Sequence, residues 1–469
     1  MQGVSVQQQG QASWDQELIA RYDLSGPRYT SYPTAPQFHP GFGEDELRCA
    51  VAVSNDRGNP LSLYFHIPFC SRVCYYCACN RIITANRRVA GPYLERLDRE
   101  MALMADLLDT SRPVNQLHWG GGTPTYISDD EKRTLMTSIR RHFNLRNDDS
   151  GEYAIEIHPG DTTVESIACL RELGFNRLSM GVQDFDTAVQ AAVNRFNSAD
   201  EVRALVTAAR QQGFHSISMD LIYGLPQQSW HSFERTLDAV LELSPDRLSM
   251  FNYAHMPNLF KTQRQMDAAQ MPGAEEKLTI IHRSTDKLLA AGYVFIGMDH
   301  FAKPGDELAR AQREGRLQRN FQGYATHGDC DLASFGVSAI SAIGDTFWQN
   351  HKDIADYNAA IDSGRIPVAR GLVLNSDDLL RARVIEGLIC HFSLDFSPVE
   401  KRFNIIFNDY FAPEIAQLRS MENDGLVVIE PQHIHVTAKG RLLIRRICMV
   451  FDAWLGKGAQ AQQKFSRII

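Results

Sequence analysis

Six short apolar runs of β type alternate with helical segments between residues 61 and 253, and this alternation constrains the fold more than any other feature of the chain. The runs are LSLYFHI, VNQLHWGG, YAIEIHP, RLSMGVQ, SISMDLIYG and RLSMFNY. Strands that alternate with helices pair in parallel through βαβ crossovers, and strands covered on both faces are almost continuously apolar. The pattern predicts an α/β fold built as a partial (βα)6 barrel of TIM-like type.

Two further patterns indicate helices packed around a barrel. The tetrapeptide RLSM opens the fourth and the sixth run, at residues 177–180 and 247–250, and this weak repeat fits a barrel better than an open sheet. In PYLERLDREMALMADLL the apolar positions recur at helical spacing, so one face can pack on the sheet. The positions expected on that buried face are Tyr93, Leu94, Leu97, Met101, Met104 and Leu108.

Composition along the chain predicts four segments. Residues 1–54 combine a polar tail with RYDLSGPRYTSYPTAPQF, whose prolines and serines favour an extended N-terminal arm over the active site. Residues 55–310 are the barrel, and residues 311–372 connect it to the next segment and contribute to the active site. Residues 373–469 form a small, mostly helical C-terminal domain that fits a winged helix.

Local signals give more detail of that C-terminal domain. Ser376 or Asp377 is expected to cap a helix whose apolar run continues to Cys390. The later stretch DGLVVIEPQHIHVTAKGRLLIRRICMVF predicts a short hairpin followed by a helix.

Charge and hydropathy narrow the classes of partner. The formal net charge of -8 argues against nucleic acid, because binding a polyanion needs a basic face. No apolar run approaches the roughly 20 residues of a membrane-spanning helix, and the N-terminal stretch lacks the basic and apolar regions of a signal peptide. We therefore expect a cytoplasmic protein without a membrane span.

Four of the nine cysteines lie within the stretch HIPFCSRVCYYCACN. Cys70, Cys74 and Cys77 have the spacing C-x3-C-x2-C directly after the first predicted strand, which in a reducing compartment indicates metal binding. Three thiolates are one fewer than a saturated zinc or iron–sulfur site uses, so an open metal position would remain for a small chelating molecule. A zinc knuckle with Cys79 or His66 as fourth ligand is the alternative.

With these motifs the chain resembles the radical S-adenosylmethionine (SAM) enzymes and, among them, the oxygen-independent coproporphyrinogen III oxidase (dehydrogenase) family of haem biosynthesis. The cysteine triplet after the first strand is the signature of the superfamily. The closer resemblance extends from about Arg21 to the last residue. It rests on matching motifs in matching order: PRYTSYPTA, HIPFC, HWGGGTPT, NRLSMGVQDF, DLIYGLP, FNYAH, GMDHFA, RNFQGY and FSRII.

The resemblance implies a radical SAM oxidoreductase. One 4Fe-4S cluster and two SAM molecules are the implied cofactors, and a 5'-deoxyadenosyl radical would abstract a β-hydrogen from a propionate side chain of coproporphyrinogen III. Loss of carbon dioxide leaves a vinyl group, and two propionates react to give protoporphyrinogen IX. The implied partners are a reducing electron donor and a separate electron acceptor, and the protein is expected to be a monomer.

The resemblance also assigns residues to roles, at strand ends that barrel geometry brings to one face. Cys70, Cys74 and Cys77 correspond to the cluster ligands. Tyr64 and Cys79 correspond to catalytic positions, although a spectator thiol is an equal alternative for Cys79. The positions that correspond to SAM contacts are Tyr64, Tyr76, Gly121, Gly122, Thr123, Glu156, Gln183, Arg195, Asp220, Ala254 and Ile340, the last three at a second SAM.

Each assignment has a structural alternative. Glu156, Asp220 and Arg195 could each form an ordinary salt bridge at a strand end, and Tyr64 could be a core residue, as could Ala254. For the whole chain the alternatives are a haem chaperone on the same scaffold and a radical SAM methyltransferase or ring-opening enzyme acting on haem. The CAC sequence and the PRYTSYPTA arm favour the decarboxylating enzyme, because the chaperone branch typically lacks both.

Overall fold

The computed structural model describes residues 12–455, Phe465 and Arg467. Its strands are β1 Leu61–Ile67, β2 Phe69–Cys70, β3 Ile82–Ile83, β4 Pro113–Gly121, β5 Asn144–Leu145, β6 Glu152–Ile157, β7 Arg177–Gln183, β8 Ser216–Tyr223, β9 Arg247–Asn252, β10 Val294–Gly297, β11 His300–Ala302, β12 Gln318–Asn320, β13 Gly323–Ala325, β14 Asp331–Phe335, β15 Ile340–Ile343, β16 Thr346–Asn350, β17 Val368–Val373, β18 Ser393–Asp395, β19 Val427–Ile429 and β20 His433–Val436.

The α-helices are α1 Gln16–Tyr22, α2 Glu44–Arg57, α3 Ala90–Ala105, α4 Asp129–His142, α5 Val164–Glu172, α6 Thr187–Val193, α7 Ala199–Gln211, α8 Trp230–Leu243, α9 Ala274–Ala290, α10 Glu307–Arg313, α11 Ile354–Asp362, α12 Ser376–His391, α13 Phe396–Phe403, α14 Phe407–Tyr410, α15 Ala412–Asn423, α16 Ala438–Arg441 and α17 Ile444–Cys448. Short 3-10 helices occupy Ala35–Gln37, Arg87–Val89, Pro124–Tyr126, Pro159–Asp161, Lys261–Gln265, Ala268–Gln270 and Met449–Phe451. No helix of the described residues is long and apolar enough to cross a membrane.

Two compact units make up the chain. The larger unit comprises Phe38–Lys277 and Asp329–Val373, and the smaller unit comprises the other described residues. The predicted division into four segments has boundaries near residues 54, 310 and 372. It is based on composition along the chain and not on contacts within compact units, so it stays a prediction.

The larger unit is built on one sheet with the strand order β9-β8-β7-β6-β4-β1-β14-β15-β16-β17. The strands from β9 to β14 in this order pair in parallel, and β15, β16 and β17 continue the sheet with antiparallel pairing. The six predicted runs coincide with β1, β4, β6, β7, β8 and β9 to within a residue or two at each end. The predicted (βα)6 arrangement is therefore confirmed.

The two faces of the sheet differ in chemistry. Leu61, Leu63, Phe65 and Ile67 of β1 are completely buried, whereas Tyr64 points to the opposite face and is only half-buried. Side chains of successive strand residues alternate between faces, and residues opposite each other in register share a face. The polar side of β1 is therefore the side on which a ligand can bind.

Helix α3 covers the apolar side of the sheet as its pattern predicts. Tyr93, Leu97, Met101 and Met104 are buried, while Leu94 is half-buried. Apolar residues at this spacing lie on one stripe of the helix, and burying the stripe stabilises both the helix and the strands beneath it.

The N-terminal arm contains two helices that its sequence did not predict, and its position over the active site stays a prediction. Residues 16–22 form α1, which Asp15 caps by accepting a hydrogen bond from the Leu18 backbone N–H, and residues 44–57 form α2, whose N-terminus is held by the Glu46 carboxylate. These caps stabilise the first turn of each helix, whereas the prolines that favoured an extended arm lie between the helices. The first eleven residues of the predicted arm lie outside the described residues.

The arginines of the arm are already paired within the smaller unit. Arg21 forms an ion pair with Asp424 at 2.8 Å, and Arg28 forms one with Asp299. The Tyr29 hydroxyl donates to Asp452 at 2.9 Å. These contacts anchor the stretch RYDLSGPRY in the smaller unit.

The C-terminal part of the smaller unit is mostly helical, as predicted, and β19 and β20 form the expected hairpin. The predicted cap of α12 is wrong, because Asn375 and not Ser376 or Asp377 caps the helix. The Asn375 side chain accepts from the Asp378 backbone N–H, and the Asp378 carboxylate accepts from the Asn375 N–H. These two hydrogen bonds satisfy backbone N–H groups at the start of α12 that have no carbonyl partner within the helix.

Candidate functional site

A cavity of about 260 Å³ opens near the carboxyl ends of the parallel strands of the larger unit. In parallel α/β folds ligands bind at this end, because the loops that follow the strands converge there. The predicted site residues that line the cavity are Cys70, Cys74, Tyr76, Cys77, Cys79, Gly121, Gly122, Thr123, Glu156, Gln183, Arg195 and Asp220.

The cysteine loop is held in place at both ends. Cys70 ends β2, which pairs with β3, so that the residues between these strands form a closed loop. On the far side the Tyr75 backbone N–H donates to the Val193 carbonyl at 3.0 Å, and the Asn194 side chain donates to the Val73 carbonyl at 2.8 Å. The three cysteines thus enter one cavity from a braced loop.

Polar groups support negative charge on the cysteine sulfurs. The Thr123 hydroxyl donates to Cys70 Sγ at 3.4 Å, and Arg195 Nη1 donates to Cys74 Sγ at 3.6 Å. A hydrogen bond from the Cys79 thiol lowers the pKa of Cys77 to about 6, and the same bond raises the pKa of Cys79. Burial raises the pKa of Cys70 to about 11.

The donor set fits an iron–sulfur cluster. No three His, Cys, Asp or Glu side chains of the described residues are grouped as ligands of a single metal ion. Cysteines that hold a 4Fe-4S cluster bind different irons, so they line a cavity and do not surround one point. Cys70, Cys74 and Cys77 meet that requirement, with Cys79 beside them as a hydrogen-bond donor to Cys77.

The glycine-rich turn after β4 brings backbone against the cysteine loop. A Cβ atom on Gly122 would lie 2.7 Å from the Pro68 carbonyl oxygen, and Gly121 has a φ of +120° that favours glycine. The Gly121 N–H donates to Glu156 Oε2 at 3.2 Å. The turn therefore fixes both the segment before Cys70 and one carboxylate of the cavity.

Three buried polar atoms in the cavity lining have no hydrogen-bond partner among the described residues. They are Nε of Arg195, Nε of Arg81 and Oε1 of Gln183. Buried polar atoms are nearly always satisfied in folded proteins, so a guanidinium donor and an amide acceptor suit a ligand that carries a carboxylate and an ammonium group. Arg195 is itself oriented by the hydrogen bond that Nη2 donates to the Gly181 carbonyl.

Asp220 is another carboxylate of the cavity lining. Burial raises its pKa to about 6, and it accepts a weak hydrogen bond from the Ser179 hydroxyl at 3.4 Å. Its side chain forms no ion pair among the described residues, so the salt-bridge alternative does not account for it.

Three predicted residues lie outside this cavity lining. The Tyr64 ring stacks on His118 with centroids 5.8 Å apart, and His118 Nε2 lies 3.2 Å from Glu156 Oε1. The Ala254 carbonyl accepts from the Gln263 side chain, which also donates to the Tyr76 carbonyl. Ile340 begins β15, opposite Gln349 of β16. The roles predicted for all site residues stay predictions.

The lining also contains residues that the motifs did not single out. Arg72 and Arg81 flank the cysteines, and Asp161 accepts a hydrogen bond from Ser71 at 2.7 Å. Arg72 lies between Cys70 and Cys74, and Arg81 follows Cys79 by two residues. The signal for both arginines was their position beside thiols that need positive charge nearby. His158 also lines the cavity, where burial lowers its pKa to about 4.

Comparison with known proteins identifies the family. The sequence model of the Radical SAM superfamily matches residues 64–240, and that of the HemN C-terminal domain matches residues 374–443. The oxygen-independent coproporphyrinogen III oxidase of Pseudomonas aeruginosa is 53% identical over 456 residues, which cover 97% of this chain and 99% of that protein. The Escherichia coli protein of the same name is 50% identical over 466 residues, which cover 99% of this chain and 100% of that one.

The fold agrees with a solved relative. The structure of the coproporphyrinogen III oxidase (HemN) from Escherichia coli, described as a radical SAM enzyme, matches with a TM-score of 0.91 and 48% sequence identity. The match covers 95% of this chain and 100% of that one. The present chain belongs to the oxygen-independent coproporphyrinogen III oxidase family of radical SAM enzymes.

Proposed function

We propose that this chain is an oxidoreductase that decarboxylates two propionate side chains of coproporphyrinogen III to vinyl groups, giving protoporphyrinogen IX in anaerobic haem biosynthesis. The observation that carries the proposal is the convergence of Cys70, Cys74 and Cys77 on one cavity with the buried Arg195. Family membership over nearly the whole chain supports the choice of substrate.

Cys70, Cys74 and Cys77 would hold one 4Fe-4S cluster, which together with SAM supplies a 5'-deoxyadenosyl radical by one-electron cleavage of the sulfonium. The protein's contribution is to stabilise charge at the thiolates. Thr123 and Arg195 donate to two of the three sulfurs, and such charge-assisted hydrogen bonds are stronger than neutral ones.

The cavity residues orient SAM. Arg195 offers its guanidinium to the methionine carboxylate and Gln183 offers its amide oxygen to the ammonium group, because both have a buried atom without a partner among the described residues. Glu156 accepts from the Gly121 N–H and lies beside His118, so its carboxylate is directed into the cavity. Tyr76 supplies an aromatic face.

Two SAM molecules are bound in this proposal. Asp220, Ala254 and Ile340 would line the second molecule. Burial raises the pKa of Asp220 to about 6, so near neutral pH it offers mainly carboxylate oxygens that accept hydrogen bonds. Tyr64 would lie next to the first SAM, where its half-buried ring closes the polar side of β1 against water.

Cys79 acts as a proton-holding neighbour of the cluster site and not as a ligand. Its thiol stays protonated because it donates to Cys77, which carries the charge. The enzyme works as a monomer in the cytoplasm, takes single electrons from a reducing donor and passes the electrons of the decarboxylation to a separate acceptor.

The test is anaerobic reconstitution with iron and sulfide, followed by incubation with SAM, a reductant and coproporphyrinogen III. We expect protoporphyrinogen IX, identified after oxidation by chromatography and mass, together with methionine and 5'-deoxyadenosine. Cys74→Ala is the matched control and should form none of these three products. Cleavage of SAM by the wild-type enzyme with the porphyrinogen left unchanged would contradict the proposal.

A further inference from the structure

Two neighbouring cations of the larger unit, Arg370 and Lys352, are among those without a carboxylate partner among the described residues. Arg370 of β17 and Lys352, which follows β16, form no ion pair there, whereas many other arginines of the described chain do. The neighbouring carboxylate of Asp353 is used as the N-cap of α11. Arg370 is half-buried, whereas Lys352 is exposed. A cation that loses contact with solvent is normally paired, so Arg370 in particular requires an explanation.

The sheet register places Arg370 on the same face as the candidate site. Tyr64 lies opposite Ser334 of β14. In the antiparallel part of the sheet Ile340 lies opposite Gln349, and Gln349 lies opposite Arg370. Residues in register share a face, and alternation along β14 and β15 gives Ser334 and Ile340 the same face.

A single row of side chains therefore crosses the sheet from Tyr64 to Arg370. It covers four strand spacings, which amounts to about 19 Å along the sheet at about 4.8 Å per strand. A macrocycle with carboxylates around its rim is a ligand of the size class that can bridge such a row.

The guanidinium of Arg370 is oriented by neutral groups. Its Nε and Nη2 donate to Gln349 Oε1 at 2.9 and 2.7 Å, and the ring of the buried Phe38 lies 5.7 Å from its central carbon. The Gln349 amide is itself fixed, because its Nε2 donates to the Ser338 carbonyl at 2.9 Å. Arginine has five N–H donors, so the remaining donors and the full positive charge are left for a ligand.

Lys352 connects this arginine to the cysteine loop. The Asn80 side chain donates to the Lys352 carbonyl at 2.8 Å, and the Asn80 carbonyl lies 2.9 Å from His66 Nε2. Partial loss of solvent and the charge of Arg370 lower the pKa of the Lys352 ammonium. The positive charges of Arg370 and Lys352 repel each other, and an anion between them would remove that repulsion.

We propose that Arg370 and Lys352 form a carboxylate-binding subsite that takes one propionate of the porphyrinogen, remote from the propionate that reacts. This inference rests on the proposed function. A planar guanidinium binds a carboxylate through two parallel hydrogen bonds and so fixes its direction. Anchoring a distant carboxylate helps to set which propionate reaches the cavity, since the covalent ring limits the distance between its propionates.

The methionine carboxylate of SAM has the same chemistry, so the experiment must separate the two sources. Coproporphyrin III, the stable oxidised form of the substrate, reports propionate binding by its fluorescence without turnover. The dissociation constant of SAM is measured separately on the reconstituted enzyme. Because neither measurement needs decarboxylation, a failure of the proposed reaction in the wild-type enzyme is distinguishable from a failure of the subsite.

Arg370→Gln should weaken coproporphyrin III binding by about 10- to 100-fold, the range for a charged hydrogen-bonded group, with SAM affinity and iron content unchanged. Lys352→Gln should weaken coproporphyrin III binding by up to about fivefold, because Lys352 is more exposed than Arg370. Arg365→Gln is the charge-matched control, since Arg365 is exposed and bonds only to Ser363 among the described residues; it should bind both ligands normally.

A second variant tests the charge without removing the arginine. Gln349→Glu places a carboxylate where the amide now accepts from Arg370, so it should neutralise the cation internally and weaken coproporphyrin III as Arg370→Gln does. Unchanged porphyrin affinity in both folded variants would overturn the proposal. Weaker SAM binding with unchanged porphyrin binding would overturn it too, because the subsite would then serve the methionine carboxylate.

Discussion

The close contact between the glycine-rich turn and the cysteine loop allows a sharp prediction for Gly122→Ala. The new Cβ would lie 2.7 Å from the Pro68 carbonyl oxygen and 2.8 Å from that of Phe69. Both are backbone atoms, so the loop itself must move by about 0.7 Å to restore ordinary contact. Pro68 and Phe69 directly precede Cys70, which moves with them.

The magnitude follows from what that shift disturbs. Overpacking of this kind costs about 1–3 kcal/mol. Two backbone hydrogen bonds are strained as well, from Ile82 N–H to Pro68 at 2.7 Å and from Thr123 N–H to Phe69 at 2.8 Å, each worth about 1 kcal/mol. A loss of about 2–4 kcal/mol in the arrangement that holds the cluster is about a 30- to 1000-fold loss in its affinity.

The assay is iron and sulfide per chain after anaerobic reconstitution at limiting iron, with visible absorption as a second readout. Gly122→Ala should incorporate far less iron than the wild type while its circular dichroism stays native. Gly91→Ala is the control, because a Cβ there meets nothing within 4 Å. Full iron content and normal SAM cleavage in Gly122→Ala would refute the idea that this turn holds the cysteine loop.

Three further predictions concern single residues. Cys74→Ala should lose the iron–sulfur absorption and all SAM cleavage, whereas Cys79→Ala should keep the absorption; the reverse result in visible spectra would reject the ligand assignment. Arg195→Lys should keep the cluster and weaken SAM binding by about 30-fold or more, because the lysine ammonium is a point charge and lacks the planar guanidinium that binds a carboxylate through two hydrogen bonds. The dissociation constant of SAM is measured by isothermal titration calorimetry, and an unchanged value would mean that Arg195 has only a structural role. Burial raises the pKa of Glu100 to about 7, so the folded state holds this proton between about pH 4.5 and 7. The contribution of the protonated Glu100 carboxyl to the free energy of unfolding is therefore complete below about pH 4.5. This contribution, about 3 kcal/mol, is lost as the pH rises through about 7. Urea unfolding of the apoprotein measures the free energy of unfolding at each pH. This free energy should decline less steeply over that pH range in Glu100→Gln than in the wild type, and an identical decline in both would contradict the raised pKa of Glu100.

The strands of the barrel could be predicted because their signal is local. Each run is almost continuously apolar over six to nine residues, and runs such as RLSMGVQ match the observed strand in both bounds. The face of α3 was also readable from spacing alone. Two helices of the arm were missed because the caps at Asp15 and Gly43 are short signals, and the prolines between them were given more weight.

The candidate site likewise contains residues that the sequence could identify and residues that it could not. Cys70 was assigned from the short spacing of the cysteines, and Gly122 was assigned because its motif resembles that of the family. Arg370 and Gln349 were not found, since their proximity depends on the register between β16 and β17, which are antiparallel strands that no local pattern aligns. The hydrogen bond from Asn80 to Lys352 joins residues 272 positions apart, and nothing in either stretch indicates the other.

The central claim is that a propionate β-hydrogen is removed in a cavity built from these residues. The most direct measurement uses coproporphyrinogen III deuterated at the propionate β-carbons, incubated anaerobically with the reconstituted enzyme, SAM and reductant. We predict that the 5'-deoxyadenosine formed during turnover is one mass unit heavier and that each new vinyl group has lost one deuterium. Protoporphyrinogen IX formed together with unlabelled 5'-deoxyadenosine would contradict the account.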